Sequence, residues 1–408
     1  MAGTRRIYFD NAATTPVDPQ VAREMQPFLH ENFGNPSSLY KEGLEARQAV
    51  ELARHQVAWL LGCKQSEVVF TGSGTEADNM AITGVFRAFQ GKPFHLITSP
   101  IEHPAVLEVC KYLAACGASV SFLPVASDGI VSPDDLVKAL RPETRLISIM
   151  AANNVTGALQ PVAELGSIAR ERNILFHTDA VQAAGKIPIN MEANRIDLLS
   201  LSGHKMYGPK GVGVLIIREG TPLSPLILGG GQEGGRRSAT ENVAGIVGLG
   251  KACSLSLADM ADDAAREVRL RERLIEGIEG LLPNAYLIGH RYRRLPGHIC
   301  LGLQAMEGEA MKMLLALDEH GFAVSTGSAC SSHKAHDPSY VLSAMGFDPF
   351  RARGALRITL GRFNTENDVD AFLEIFPKVI AGLRSIKSYY HTIKEIKNDT
   401  TGIHLTDA

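Results

Sequence analysis

The chain has 408 residues, 45% hydrophobic and 21% charged, enough to bury large cores and to divide into two domains. Its 44 acidic and 41 basic residues are spread along the sequence with a net charge of −3, which leaves no electrostatic footprint for nucleic acid or anionic lipid. Cysteines at 63, 110, 116, 253, 300 and 330 form no C-x-x-C pair and no dense framework, as suits free thiols in a reducing compartment.

The chain opens with Met-Ala-Gly-Thr-Arg-Arg and passes into Ile7-Tyr8-Phe9-Asp10 without an apolar signal core. No apolar run is expected to be long enough to span a bilayer, so a cytoplasmic protein with no membrane partner is the expectation. From residue 68 to about 217, short β-rich runs alternate with helical patterns, predicting an α/β domain with a mostly parallel seven-stranded sheet. The strands are expected at Val68–Thr71, Leu96–Ser99, Val120–Leu123, Leu146–Met150, Ile174–His177, Leu198–Leu201 and Val212–Ile217. Between them Glu76–Phe89, Ala105–Cys116 and Ala163–Arg172 carry apolar residues at helical spacing, as parallel crossovers require.

After Gly229-Gly230-Gly231, residues 239–281 read as one long helix. A smaller α+β pattern follows: Ile299–Leu303, a helix over Gly308–Glu319, Phe322–Ser325, a loop, a helix near Tyr340–Met345, Leu356–Leu360, and a helix from Thr365. The expected division is a large domain over 15–260, a small α+β domain over 1–14 and 261–395 that carries the Cys330 loop, and a mobile tail over 396–408.

Three short stretches carry candidate chemistry, each closing a predicted strand where an open α/β sheet presents its ligands. Thr71-Gly72-Ser73-Gly74-Thr75-Glu76 follows a strand and opens a helix, so its backbone N–H groups and hydroxyls can cradle a phosphate, or Ser73 and Thr75 simply cap the helix. Asp179 ends its strand, where a carboxylate can hold a pyridine nitrogen protonated or cap the next turn. Ser202-Gly203-His204-Lys205 follows the next strand, where a Gly-rich turn can shelter a lysine able to bond covalently to an aldehyde, or Lys205 is simply a solvated surface group. Each signal alone is weak, and their shared order is strong.

That order, together with Tyr8-Phe9-Asp10-Asn11-Ala12-Ala13-Thr14-Thr15-Pro16, Phe33-Gly34-Asn35-Pro36-Ser37-Ser38, Asn153-Asn154, His177-Thr178-Asp179-Ala180-Val181-Gln182, Gly229-Gly230-Gly231-Gln232-Glu233, Arg237-Ser238, Gly327-Ser328-Ala329-Cys330 and Leu356-Arg357-Ile358-Thr359-Leu360-Gly361-Arg362, resembles the fold-type I pyridoxal-phosphate enzymes of aminotransferase class V. Within them it is similar to the NifS/IscS-like cysteine desulfurases.

The resemblance implies a pyridoxal 5'-phosphate cofactor on Lys205, Asp179 against the ring nitrogen, Gln182 on the ring oxygen and His103 stacked on the ring as a candidate acid/base. It implies phosphate contacts from Gly74, Thr75, Ser202 and His204, and from Thr240 of a neighbouring subunit in a homodimer. Arg357, with Asn154 and Asn35, matches the substrate-carboxylate site. The implied reaction takes sulfur from L-cysteine onto Cys330, releases L-alanine and hands the persulfide to a protein acceptor. The downstream route stays open between iron–sulfur clusters, thiolated tRNA and modified DNA, and residues 400–408 do not match the histidine-rich ending of many IscS-type members.

Within class V, selenocysteine lyase, kynureninase-like or aminotransferase activity is the alternative, and outside it a non-catalytic sulfur-relay scaffold. Cys330-x-x-His333-x-x-His336 also has the look of a metal site. Structural zinc takes four ligands, and no further cysteine or histidine lies close in sequence, so no metal is expected.

Overall fold

The computed structural model describes residues 6–327 and 337–400, so Cys330, His333, His336 and residues 401–408 lie outside the described residues. In chain order the strands are β1 (Ile7–Tyr8), β2 (Val68–Thr71), β3 (His95–Thr98), β4 (Ser119–Phe122), β5 (Thr144–Ser148), β6 (Leu175–Asp179), β7 (Leu198–Ser202) and β8 (Gly213–Ile217). There follow β9 (Ala285–Leu287), β10 (His298–Leu303), β11 (Phe322–Ala323), β12 (Ser325–Thr326) and β13 (Leu356–Thr359).

Seven strands form one sheet in the order β2-β8-β7-β6-β5-β3-β4. The run from β4 to β7 is parallel, whereas β8 is antiparallel to both β7 and β2. The three ligand-bearing strand ends therefore share one edge, but β8 separates β2 from β7, which the chain order does not announce. The close insertion depends on Gly213, where a Cβ would sit 2.6 Å from the Ser73 carbonyl carbon and 2.9 Å from Leu201 O.

The strands read as continuous apolar runs because both faces are covered. Alternate residues Phe70, Ile97, Ile147, Phe176, Leu199 and Val214 pack in one core with Val50, Val57 and Leu249. Their neighbours Val69, Leu96, Leu146, Leu198 and Leu215 pack on the other face with Met80, Val85, Val109 and Leu113. Those last four come from the helices Gly74–Ala88 and Pro104–Ala115, which match the expected crossovers to within two residues. The helix Lys41–Leu61, which supplies Val50 and Val57, has no counterpart among the expected elements.

The small sheet has the order β12-β13-β10-β9 and is antiparallel throughout. The single strand expected at Phe322–Ser325 is in fact two: β11 pairs with β1, and β12 pairs with β13. The helix Val243–Leu281 links the two halves, placing Ile246 and Leu249 in the large core and Leu270, Leu274 and Ile278 in the small one. Contrary to the sequence expectation, this helix contains a stretch long and apolar enough to cross a bilayer, but more than half of that stretch is buried inside the protein. The final helix runs Glu366–Thr400, past the point where a tail was expected to begin.

Candidate active site

A cavity of about 520 Å³ opens at the exits of β2, β6 and β7 and is walled on the other side by Ala12, Ala13 and Arg357. It gathers Gly74, Thr75, His103, Asn154, Asp179, Gln182, Ser202, His204 and Lys205, all singled out from sequence. Asn35 and Thr240 are not among its lining residues. Asn35 is exposed and its Oδ1 accepts from Ser37 N, while Thr240 lines a smaller neighbouring cavity of about 170 Å³ with Gly72 and Gly211.

Local structure explains each position, and the bland readings prove compatible with the chemical ones. Ser73 caps the helix Gly74–Ala88, accepting from Glu76 N at 3.1 Å, and this leaves Gly74 and Thr75 at the helix start facing the cavity. Gly74 cannot be larger, since a Cβ there would lie 2.7 Å from Val181 Cγ2 and 3.3 Å from Ser202 Cβ. Glu76 holds the cup from behind: its Oε2 accepts from Gly72 N at 2.8 Å and its Oε1 from Arg237 Nε at 2.7 Å. Asp179 does cap the next turn, its Oδ1 accepting from Val181 N at 2.8 Å.

The lysine turn is stapled to the N-terminal segment. Thr15 N donates to His204 O at 2.9 Å, Tyr207 N donates to Thr15 Oγ1 at 2.8 Å, and Tyr207 closes the turn with a left-handed φ of 63°. Lys205 Nζ donates to Ala12 O and Ala13 O, each at 2.6 Å, so these two carbonyls aim the amine.

Electrostatics set the protonation states. Burial pushes Asp179 up to about 6, opposed by the Val181 N–H and by Lys205, so it remains a carboxylate at neutral pH. Asp78, 1% exposed and 3.6 Å from His177 Nε2, is raised well above the ordinary carboxylate range by burial first and by Asp179 second. Burial and the neighbouring Asp179 thus favour the protonated form of Asp78, while the Val181 N–H and Lys205 favour the charged form of Asp179. Burial and then Lys205 push His103 down to about 4, and its Nδ1 accepts from Ala105 N at 3.1 Å. The neutral ring therefore carries its proton on Nε2. His204 is likewise pushed down to about 4, and its Nδ1 lies 3.1 Å from Thr14 Oγ1.

Arg357, in the middle of β13, is 2% exposed. Its Nη1 donates to Asn154 O at 2.9 Å and its Nη2 to Asp10 Oδ1 at 2.8 Å. Its Nε is buried without a partner among the described residues, as is Gln182 Oε1, whose Nε2 donates to Ala12 O at 2.9 Å. Both residues line the one cavity, so a molecule bound there is a candidate to complete their hydrogen bonding. With an anion cup at one end, a buried carboxylate, a lysine and a histidine, the residues present fit pyridoxal phosphate, and Arg357 suits an α-carboxylate.

Sequence reasoning missed Asp10, Asp78 and Glu102. Glu102, beside His103, accepts from Ser99 Oγ at 2.5 Å and from Met150 N at 3.0 Å, and burial pushes it up to about 8. Asp10 lies in a stretch already noted for its wording, and its place beside Ala12 was the available signal.

The Aminotransferase class-V family model matches residues 7–372. The chain is 49% identical over 385 residues to cysteine desulfurase IscS of Dictyoglomus turgidum, covering 94% of this chain and 97% of that one. Its identity to cysteine desulfurase IscS of Methanosarcina thermophila is 48% over 382 residues, with 94% of each covered. Among solved structures it is similar to a NifS-like protein, with TM-score 0.86, 41% identity, and coverage of 92% of this chain and 99% of that one.

Proposed function

The chain belongs to the aminotransferase class V family and within it to the cysteine desulfurases, and from that premise we propose which of its residues carry each step. It is a pyridoxal-phosphate enzyme that removes sulfur from cysteine for delivery to acceptors. The observation that carries the assignment of roles is the convergence of Lys205, Asp179 and His103 with Arg357, which reaches the same cavity from the other sheet.

When bound, pyridoxal phosphate supplies an aldehyde that takes up an amine and a ring that withdraws electrons from the substrate Cα. Gly74, Thr75, Ser202 and His204 hold its phosphate, and Asp179 keeps its ring nitrogen protonated. Lys205 Nζ carries the cofactor and moves the proton at cysteine Cα. Arg357 and Asn154 orient the substrate carboxylate, while the structure gives no support to a role for Asn35. His103, neutral at physiological pH, offers its Nε2–H to the reacting group as a hydrogen-bond donor.

Cys330 is the sulfur acceptor. Its thiolate attacks the substrate sulfur, the Cβ–S bond breaks as the S–S bond forms, and the carbon fragment is reprotonated and leaves as alanine. Support comes from the flanking segment. Ser325 in β12 pairs with Arg357 in β13, and Gly327 N donates to Ala355 O, so the chain enters residues 328–336 alongside the carboxylate clamp.

A cytoplasmic homodimer completes the proposal, and the dimer is supported by Thr240, which is exposed and lines a second cavity instead of its own chain's main one. Phe33, Leu39 and Leu228, each at least 75% exposed, supply apolar surface for such a contact. In the test, Cys330→Ser keeps the cofactor absorbance and still binds cysteine but makes neither alanine nor sulfide. Wild-type alanine production by that variant, or parent persulfide mapping to Cys63, Cys110, Cys116, Cys253 or Cys300, refutes the assignment.

A further inference from the structure

Arg357 does not wait for substrate as a lone charge. Its Nη2 stands 2.8 Å from Asp10 Oδ1, in a pair whose side chains are 2% and 17% exposed. Asp10 is itself fixed: it bridges to Thr359 two residues along β13, and its carbonyl accepts from Ala13 N at 3.0 Å and from Tyr8 OH at 3.0 Å. The residue is thus held at its backbone by the same segment that aims Lys205, with its carboxylate hydrogen-bonded to Arg357.

We propose that Asp10 is a positioning and affinity-setting residue: a standing internal carboxylate that partly discharges Arg357, so that the site grips an α-carboxylate loosely enough for alanine to leave. The inference rests on Arg357 being the carboxylate clamp. Substrate and product carry the same α-carboxylate, and binding shared by both does nothing for the chemical step while slowing release when it is too strong. A buried guanidinium without a counter-charge would bind that group far too well. With Asp10 in place, an incoming carboxylate shares one positive charge with a resident one, on a guanidinium whose Nε–H still lacks a partner among the described residues.

The test uses holoenzyme and reads the binding of L-alanine, and of ethylamine as its counterpart without a carboxylate, from the shift in cofactor absorbance. Asp10→Asn keeps an oxygen for Nη2 and removes the charge. It should tighten L-alanine about tenfold and lower the cysteine KM by a similar factor, leaving ethylamine unchanged. Unchanged L-alanine affinity in Asp10→Asn overturns the proposal, and so does weaker binding of both amines, which would make Asp10 a strut. Arg357→Leu separates the two layers of argument. If it weakens L-alanine strongly while Asp10→Asn has no effect, the clamp stands and the Asp10 role falls; if it leaves L-alanine untouched, both fall.

Discussion

The seven-stranded sheet delivers Asp179, Ser202 and Lys205 from strand exits, whereas the four-stranded sheet delivers Arg357 from the middle of β13, between Leu356 and Ile358 of the small core. The exit residues sit where ladder pairing ends, and their side chains are positioned by turns and by carbonyls of a distant segment. Arg357 is locked by ladders on both sides, opposite Cys300 in β10 and Ser325 in β12. A group that must pick up and release protons sits on the looser support, and a group that must only hold a fixed geometry sits on the stiffer one.

The largest effect should come from the exit edge. Lys205→Ala should remove the covalently bound cofactor absorbance and all turnover, with borohydride trapping followed by peptide mapping as the check on the parent. Cofactor trapped on Lys210 would break the comparison, since Lys210 also lines the cavity but stands beyond the stapled turn. Arg357→Leu should keep the absorbance and lose about 2–5 kcal/mol in kcat/KM for cysteine, mostly through KM. Steady-state kinetics like those of the parent would mean that the mid-strand arginine is structural only.

The smallest effect sharpens the account of the exit edge itself. Glu102, with a carboxyl raised to about 8 from the usual 4.5, binds its proton more tightly in the folded protein than in the unfolded chain. Its contribution to stability is therefore complete below about pH 4.5 and is lost as pH rises through 8. Glu102→Gln should remove that slope, at most about 1.4 kcal/mol per pH unit, in denaturant titrations between pH 5 and 8. An unchanged slope would place the proton elsewhere.

Much of this was legible in the sequence because buried parallel strands are short apolar runs, and their exits are marked by Gly, Asp and Lys in polar company. Arg357 stood out as a charge inside an apolar strand. Asp78 and Glu102 did not, because an acid on a helix or ahead of one looks like a solvated residue until the packing is known. The reversal of β8 was hidden for a different reason: Gly213 permits it sterically, but strand direction leaves no trace in the hydrophobic pattern. The break of one expected strand into β11 and β12 arises at Val324, where neighbouring residues join different sheets. Thr240 lines a second cavity instead of the main one, the position the proposed homodimer would require of it.

The segment 7–15 has a consequence for biosynthesis. It pairs with β11, bridges to Thr359, offers Ala12 O to Gln182 and Lys205, and fastens Thr15 to the lysine turn. Its late partners lie more than 300 positions further along the chain, from Gly321 to Asn364. A ribosome makes residues 7–15 long before it makes those, so the large sheet can fold with the amine of Lys205 still unaimed. A stalled or clipped product lacking β13 would carry the lysine and the β1–β11 pairing yet have neither the Asp10–Thr359 bridge nor the Arg357 clamp.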